Sequence, residues 1–293
     1  MNPLQHFNVL GIDTEVLVTS ELTDRAFSIC TFDCRPGDGP PPHRHTLGDE
    51  VFMVISGDFE VFDGYRWSPI PKEQFVPLMR GGIHTFRNSG SAVGRLLSVG
   101  VSGLHDKFLN EVSSVTLPQE AVRFMEISDR YGISYPRAAE NEHSSDTPTS
   151  TPAATTAAKH LDILGEDVEI VVSSGTTEGR VMVLTQTSPP GGGVPVHTHL
   201  FEDEIFSVME GEYEFFDGQE WVKYSKGDVW YALRGCAHGF RNCGQSDGKI
   251  HAIALPGTGL EGLLEDMSGL KIPEDIEKLM EVSDKYGITF ERQ

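Results

Sequence analysis

The chain has 293 residues and carries 44 acidic against 23 basic side chains, a formal charge of −21. With no basic block to meet a phosphate backbone or an anionic lipid surface, this balance argues against nucleic acid and membrane as partners and fits a well-solvated surface. No stretch approaches the roughly 18 apolar residues of a membrane span, the opening MNPLQHFNVLGIDTEV has no basic-then-apolar signal pattern, and Cys30, Cys34, Cys236 and Cys243 form no CxxC pair, so a soluble protein of a reducing cytoplasm is expected.

In chain order the predicted elements are short strands. EVLVTS (15–20), FSICTFD (27–33), EVFMVISG (50–57), FEVFDG (59–64) and RLLSVGV (95–101) are rich in Val, Ile and Phe and punctuated by Gly, Pro and Asp. Asp63-Gly64 reads as a tight hairpin turn. PQEAVRFMEISDRYG (118–132) is different: Pro and acids open it, Gly closes it, and its apolar spacing is helical. Next comes ENEHSSDTPTSTPAATTAAK (140–159), a Ser/Thr/Pro/Ala stretch with no apolar period, which reads as a flexible linker.

Beyond residue 159 the first half repeats. HFNVLGIDTEVLVTS (6–20) lies over HLDILGEDVEIVVSS (160–174) at an offset of 154. Without a gap, that offset carries His43, His45, Asp49, Glu50, Gly57, Asp63-Gly64, Trp67 and the FRN of 86–88 onto the same residues of the second half. The helical tail recurs after a shift of one as PEDIEKLMEVSDKYG (273–287). Two domains follow, 1–139 and 160–293, joined by the linker. Many short strands closed by terminal helices place each in the all-β class, as a sandwich or barrel.

In an extended segment, residues two apart share a face, so His43 and His45 project together. Glu50 opens the next strand, and His84 follows further on; the second half supplies His197, His199, Glu204 and His238. Three imidazoles and a carboxylate are a ligand set for a first-row divalent ion, one per half, and Fe, Mn, Ni, Cu, Co and Zn all suit it. The histidines outside these quartets, His6, His105, His143, His160 and His251, read as ordinary hydrogen-bonded polar residues. Cys236, two residues before His238 and matched by Gly82, reads as a small core residue.

GDGPPPHRHTLGDEVFMVISG (37–57) and GGGVPVHTHLFEDEIFSVMEG (191–211) both fit the first motif of the cupins, and His84–Asn88 and His238–Asn242 fit the end of the second. In that second motif Met79 and Leu233 stand where proline is usual, and Glu73-Gln74 where the first copy would open with Gly-Asp. The chain therefore resembles a bicupin, which implies two tandem jelly-roll β-barrels, each with a C-terminal helix and a metal site. Within the superfamily it is most similar to the quercetin 2,3-dioxygenase-like proteins. That resemblance implies an oxygenase adding O2 to a phenolic or enolic small molecule, with Glu50 or Glu204 as the base.

Phe52, Phe59, Val61 and Phe86, with Phe206, Tyr213, Phe215 and Phe240 in the second half, alternate with the ligands and are expected to line the substrate pockets. Val61 against Phe215 and Phe59 against Tyr213 make the first cavity the roomier one. A non-oxidative isomerase, lyase or decarboxylase acting on a small sugar or acid needs the same quartet but a polar pocket, for which Arg80 and Arg234 are available, although an exposed loop role suits them better. A non-catalytic ligand-binding cupin is the third class. The sequence leaves a homodimer open.

Overall fold

The computed structural model describes residues 3–72, 74–101, 104–136 and 159–290. The chain divides into two compact units between residues 153 and 154. Glu73, His143 and the linker lie outside the described residues, except for Lys159, which opens a strand.

In the first unit β1 (Gln5–Val9), β2 (Ile12–Val18), β3 (Phe27–Cys34), β4 (His43–His45), β5 (Asp49–Ser56) and β6 (Phe59–Phe62) come first. They are followed by β7 (Trp67–Pro69), β8 (Phe75–Leu78), β9 (Ile83–Asn88), β10 (Gly94–Val101), helices α1 (His105–Ser113) and α2 (Ala121–Arg130), and β11 (Ile133–Ser134). The second unit opens with β12 (Lys159–Ile163), β13 (Glu166–Val172), β14 (Met182–Ser188), β15 (Gly193–His199), β16 (Asp203–Glu210) and β17 (Glu212–Phe216). It continues through β18 (Trp221–Ser225), β19 (Val229–Ala232), β20 (His238–Asn242) and β21 (Gly248–Leu255) to α3 (Thr258–Met267), α4 (Ile276–Tyr286) and β22 (Ile288–Phe290).

Each unit forms a six-stranded and a five-stranded sheet, in the orders β1-β2-β3-β10-β5-β8 and β11-β4-β9-β6-β7, then β12-β13-β14-β21-β16-β19 and β18-β17-β20-β15-β22. This is the expected all-β architecture, with two cupin-like sheet sets and terminal helices. The helix expected at 118–132 is α2; the preceding α1, in HDKFLNEVS, has too short an apolar period to announce itself.

Alternation along the strands builds the core between the sheets. Phe52 and Val54 on β5, Phe59 and Val61 on β6, and Phe86 on β9 are buried together, and α1 adds Phe108, Leu109 and Val112. Burying each such side chain stabilises by about 1.5–3 kcal/mol. Gly57 sits at φ +85°, and a Cβ there would meet Gly94 Cα at 2.7 Å. The motif glycine therefore serves both a left-handed turn and a close backbone crossing. Arg87 stacks over Trp67 at 4.1 Å and donates to Glu60 at 2.8 Å; Arg241 repeats this on Trp221 and Glu214 at 4.4 and 2.8 Å.

The asparagines of the second motif are knots in this framework. Asn88 Nδ2 donates to the carbonyls of Cys34 and Ala92, both at 2.8 Å, and its Oδ1 accepts from Gly90 N at 2.8 Å. Asn242 does the same with Ser188, Ser246 and Gly244. Replacing Asn88 by Ala leaves three buried or half-buried backbone groups without this partner. Chemical denaturation is expected to show a loss of about 2–4 kcal/mol at an unchanged m-value.

Candidate metal centres

The extended β4 sends His43 and His45 to one face, and its pairing with β9 sets His43 directly opposite His84. Glu50 comes from the other sheet, on β5, opposite Gly100 of β10 and Leu78 of β8. The quartet thus meets in the interior between the sheets, and all four residues are buried. In the second unit His197 of β15 pairs with His238 of β20, and Glu204 of β16 lies opposite Ala254 and Ala232.

His43 Nε2 is 3.0 Å from His45 Nε2, His84 Nε2 is 3.1 Å from Glu50 Oε2, and His45 Nε2 is 3.4 Å from the same oxygen. The second set repeats this at 2.9 Å (His197–His199), 2.9 Å (His238–Glu204) and 3.2 Å (His199–Glu204). Backbone carbonyls fix the ring tautomers: Nδ1 of His43 donates to Pro41 O, that of His84 to Gly82 O, that of His197 to Pro195 O and that of His238 to Cys236 O, at 2.8–3.2 Å. With the proton on Nδ1, each Nε2 presents a lone pair inward. Lone pairs and a carboxylate at such distances repel one another unless a cation lies among them. Ligands at right angles on bonds of about 2.1 Å stand about 3.0 Å apart, which is the spacing seen. The chain therefore carries two His3Glu metal sites, one per unit.

Electrostatics agree with that reading. Burial, followed by the neighbouring imidazoles, holds His43 well below the usual histidine range and His197 at about 3. Burial pushes the two glutamates upward, but nearby histidines outweigh it, leaving Glu50 well below the usual carboxylate range and Glu204 at about 2. His199 is shifted the other way: burial lowers it, and the Glu204 and Glu202 carboxylates outweigh burial and raise it.

The first centre opens into a cavity of about 340 Å³ and the second into one of about 100 Å³. Of the expected lining residues, Phe52 and Phe86 face the first cavity and Phe206 and Phe240 the second. Phe59, Val61, Tyr213 and Phe215 do not; they are packed in the core beneath. The volume difference has another source. Leu184 and Met267 protrude into the second cavity, at positions that correspond to Cys30 and Val112 of the first unit.

Two further readings are corrected. His105 is no ordinary polar residue: it opens α1, lines the first cavity and places Nε2 3.3 Å from Glu50 Oε1. The repeat passed over it because its counterpart is Leu260. Cys236 is exposed rather than in the core. Arg80 and Arg234 are anchored on the buried Asp49 and Asp203, at 2.8 and 2.5 Å, and line neither cavity. His160 is exposed, and His251 is buried 3.0 Å from Thr185 Oγ1.

Residues 184–254 match the family model of the cupin domain. The oxalate-binding protein of Thermotoga maritima is 34% identical over 67 residues, which cover 23% of this chain and 55% of that protein, so the match spans about half of the curated relative. Among solved structures, Bacillus subtilis oxalate decarboxylase, studied for its Mn(II) centres, has a TM-score of 0.56 at 14% identity, covering 98% of this chain and 87% of that one. The formate complex of Lactobacillus farciminis oxalate decarboxylase gives 0.56 at 14%, covering 86% and 84%. At these identities the structural likeness concerns the fold. Among the described residues no helix is long and apolar enough to cross a membrane.

The buried imidazoles set the acid response of the chelated protein. His43, His105 and His197 lie below their ordinary 6.5, so on acidification the unfolded chain takes up protons first and stability falls below about pH 6.5. His199, raised, opposes this, and the glutamates add their loss only below about pH 4.5. Thermal melts of chelated protein are expected to show a Tm that declines steadily from pH 6.5 to 4, and metal-loaded protein should release its metal over the same range.

Proposed function

We propose that the protein is a metal-dependent, non-oxidative enzyme, a decarboxylase, lyase or isomerase, whose reaction runs at His43, His45, Glu50 and His84. The observation that carries this reading is the 340 Å³ cavity joined to the first centre. It has room for about ten water-sized groups and falls within the range of small-molecule sites. The second cavity, at 100 Å³, holds a few atoms at most, so His197, His199, Glu204 and His238 are read as a metal site that supports its unit.

The non-oxidative assignment draws on the oxalate-binding relative and the decarboxylase-like fold; the cavity is not the polar pocket expected from the sequence for that class, so it bears on the substrate and not on the reaction type. The cavity argues against oxalate itself. Among the described residues no Lys or Arg lines it, and most of its wall is apolar, with Ile12, Phe32, Phe108 and Leu109 among the lining residues. A small dianion there would have only the metal as counter-charge, and most of the space would stay unfilled. The expected substrate has one oxygen-bearing head and an apolar body.

A bound divalent ion would polarise that head as a Lewis acid. The chain supplies the rest. Phe52, Phe86 and Phe108 hold the apolar body, α1 shields the head from water, and the Glu50 carboxylate, ionised at neutral pH, is the base within reach of the head group's proton. The aromatic wall also favours a second reading, the oxygenase implied by the quercetinase-like resemblance, with a planar phenolic or enolic substrate and O2.

Metal-loaded protein assayed in air and under nitrogen against 2-oxo and 3-oxo acids with apolar side chains, oxalate and flavonols separates the two. Equal rates with no O2 uptake are expected, and turnover that requires O2 would give the oxygenase reading its place. Glu50→Gln should lower turnover by about 10²- to 10⁴-fold, while Glu204→Gln changes it only a few-fold and costs metal in the second unit. The opposite pattern would move the chemistry to Glu204.

A further inference from the structure

The two centres share their four ligands but surround the glutamate differently. In the first unit Glu50 Oε2 faces His45 and His84, and Oε1 is turned away from them. Ser98 Oγ donates to Oε1 at 2.9 Å, and His105 Nε2 lies 3.3 Å from it. Ser98 stands two residues before Gly100, the cross-strand partner of Glu50 on β10. A Cβ at Gly100 would meet His105 Cβ at 2.5 Å, so this glycine makes the space in which the ring rests against the strand.

In the second unit the same register puts Ala254 opposite Glu204 and Ala252 two residues before it. The residue matching His105 is identified by its neighbour. Asp106 accepts from Ser20 N at 3.2 Å, and Glu261 accepts from Ser174 N at 2.6 Å, with Ser20 and Ser174 one repeat apart. His105 therefore corresponds to Leu260, which lines the second cavity. Serine, glycine and histidine have become alanine, alanine and leucine together, and none of the replacements carries a side-chain polar group that could hold Glu204 Oε1. Another carboxylate appears instead: Glu202, matched by Gly48 in the first unit, lies 3.5 Å from His199 Nδ1.

We propose that Ser98 and His105 are positioning residues that hold Glu50 as a single-oxygen ligand, with Oε2 committed to the metal and Oε1 withheld from it. This keeps the cavity side of the first centre open to a substrate oxygen. Glu204, not held in this way, turns both oxygens to its metal, and Glu202 steadies His199, so the second centre is closed. The inference rests on the proposed function only in that the first centre receives substrate.

The test uses the full chain loaded with Mn(II), read by electron paramagnetic resonance with and without azide as a small-anion probe. The wild type is expected to give two signals of different zero-field splitting, one of them azide-sensitive. In Ser98→Ala/His105→Leu the first signal should take on the parameters of the second and lose its azide response, while metal affinity at that centre falls about 10- to 100-fold. His105→Gln, which keeps a donor, should restore the first signal. The triple change Ala252→Ser, Ala254→Gly and Leu260→His should move the second signal toward the first. If the double variant does not fold, Ser98→Ala alone carries the test, with a partial shift expected. Unchanged splittings in either Ser98 variant would overturn the proposal. Azide acting on neither wild-type signal would instead count against an open first centre, and so against the proposed function, while the splittings still decide the role of Ser98 and His105.

Discussion

Three imidazoles and a carboxylate converge in the buried space between two sheets, at separations that suit ligands around one cation. Much else in each unit exists to enforce that convergence. The pleat of β4 sends both of its histidines inward, and the β4–β9 register sets the third opposite the first. The opposing sheet delivers the glutamate at the start of β5. A slip of one residue in either pairing would turn its ligands to the other face. The framework groups that pin the register, Asn88 and the stacked Arg87–Trp67 pair, are accordingly as regular between the two units as the ligands themselves.

Around this common frame the two units have diverged in what surrounds the ligands. The first has a roomy apolar cavity and side-chain support directed at its carboxylate; the second has a small cavity and support directed at an imidazole. Volume and polarity changed in concert: Leu260 both removes a polar contact from the glutamate and belongs to the apolar wall, and Met267 narrows the same space.

The fold and the ligands were legible in the sequence because both follow short-range rules. HxH on a strand, a glutamate at the head of the next one, and turns marked by Asp-Gly each depend on a few neighbouring residues, and the repeat displayed them twice. The cavity was less legible. Phe59 and Tyr213 alternate correctly but, unlike Phe52 and Phe206, do not reach the cavities, because strand periodicity gives the face and not the position along the sheet. Part of the cavity wall comes from α1, a nine-residue helix whose pattern carries little signal. His105 escaped for the opposite reason to the one that made the ligands visible: internal repetition favours what both halves keep, and a residue present in one half alone is what distinguishes their roles.

The acceptors that orient the ligating rings are carbonyls two residues upstream, at Pro41, Gly82, Pro195 and Cys236. Every residue has a carbonyl, so no side-chain substitution at these positions removes the acceptor. Glycine in one unit and an exposed cysteine in the other do the same work at matching places. The protonation pattern of four of the six ligating imidazoles is thereby tied to the direction of the chain rather than to the identity of any neighbour. Surrounding loops can drift in sequence, toward a new substrate or a closed site, while the nitrogens that face the metal keep the lone pairs it requires.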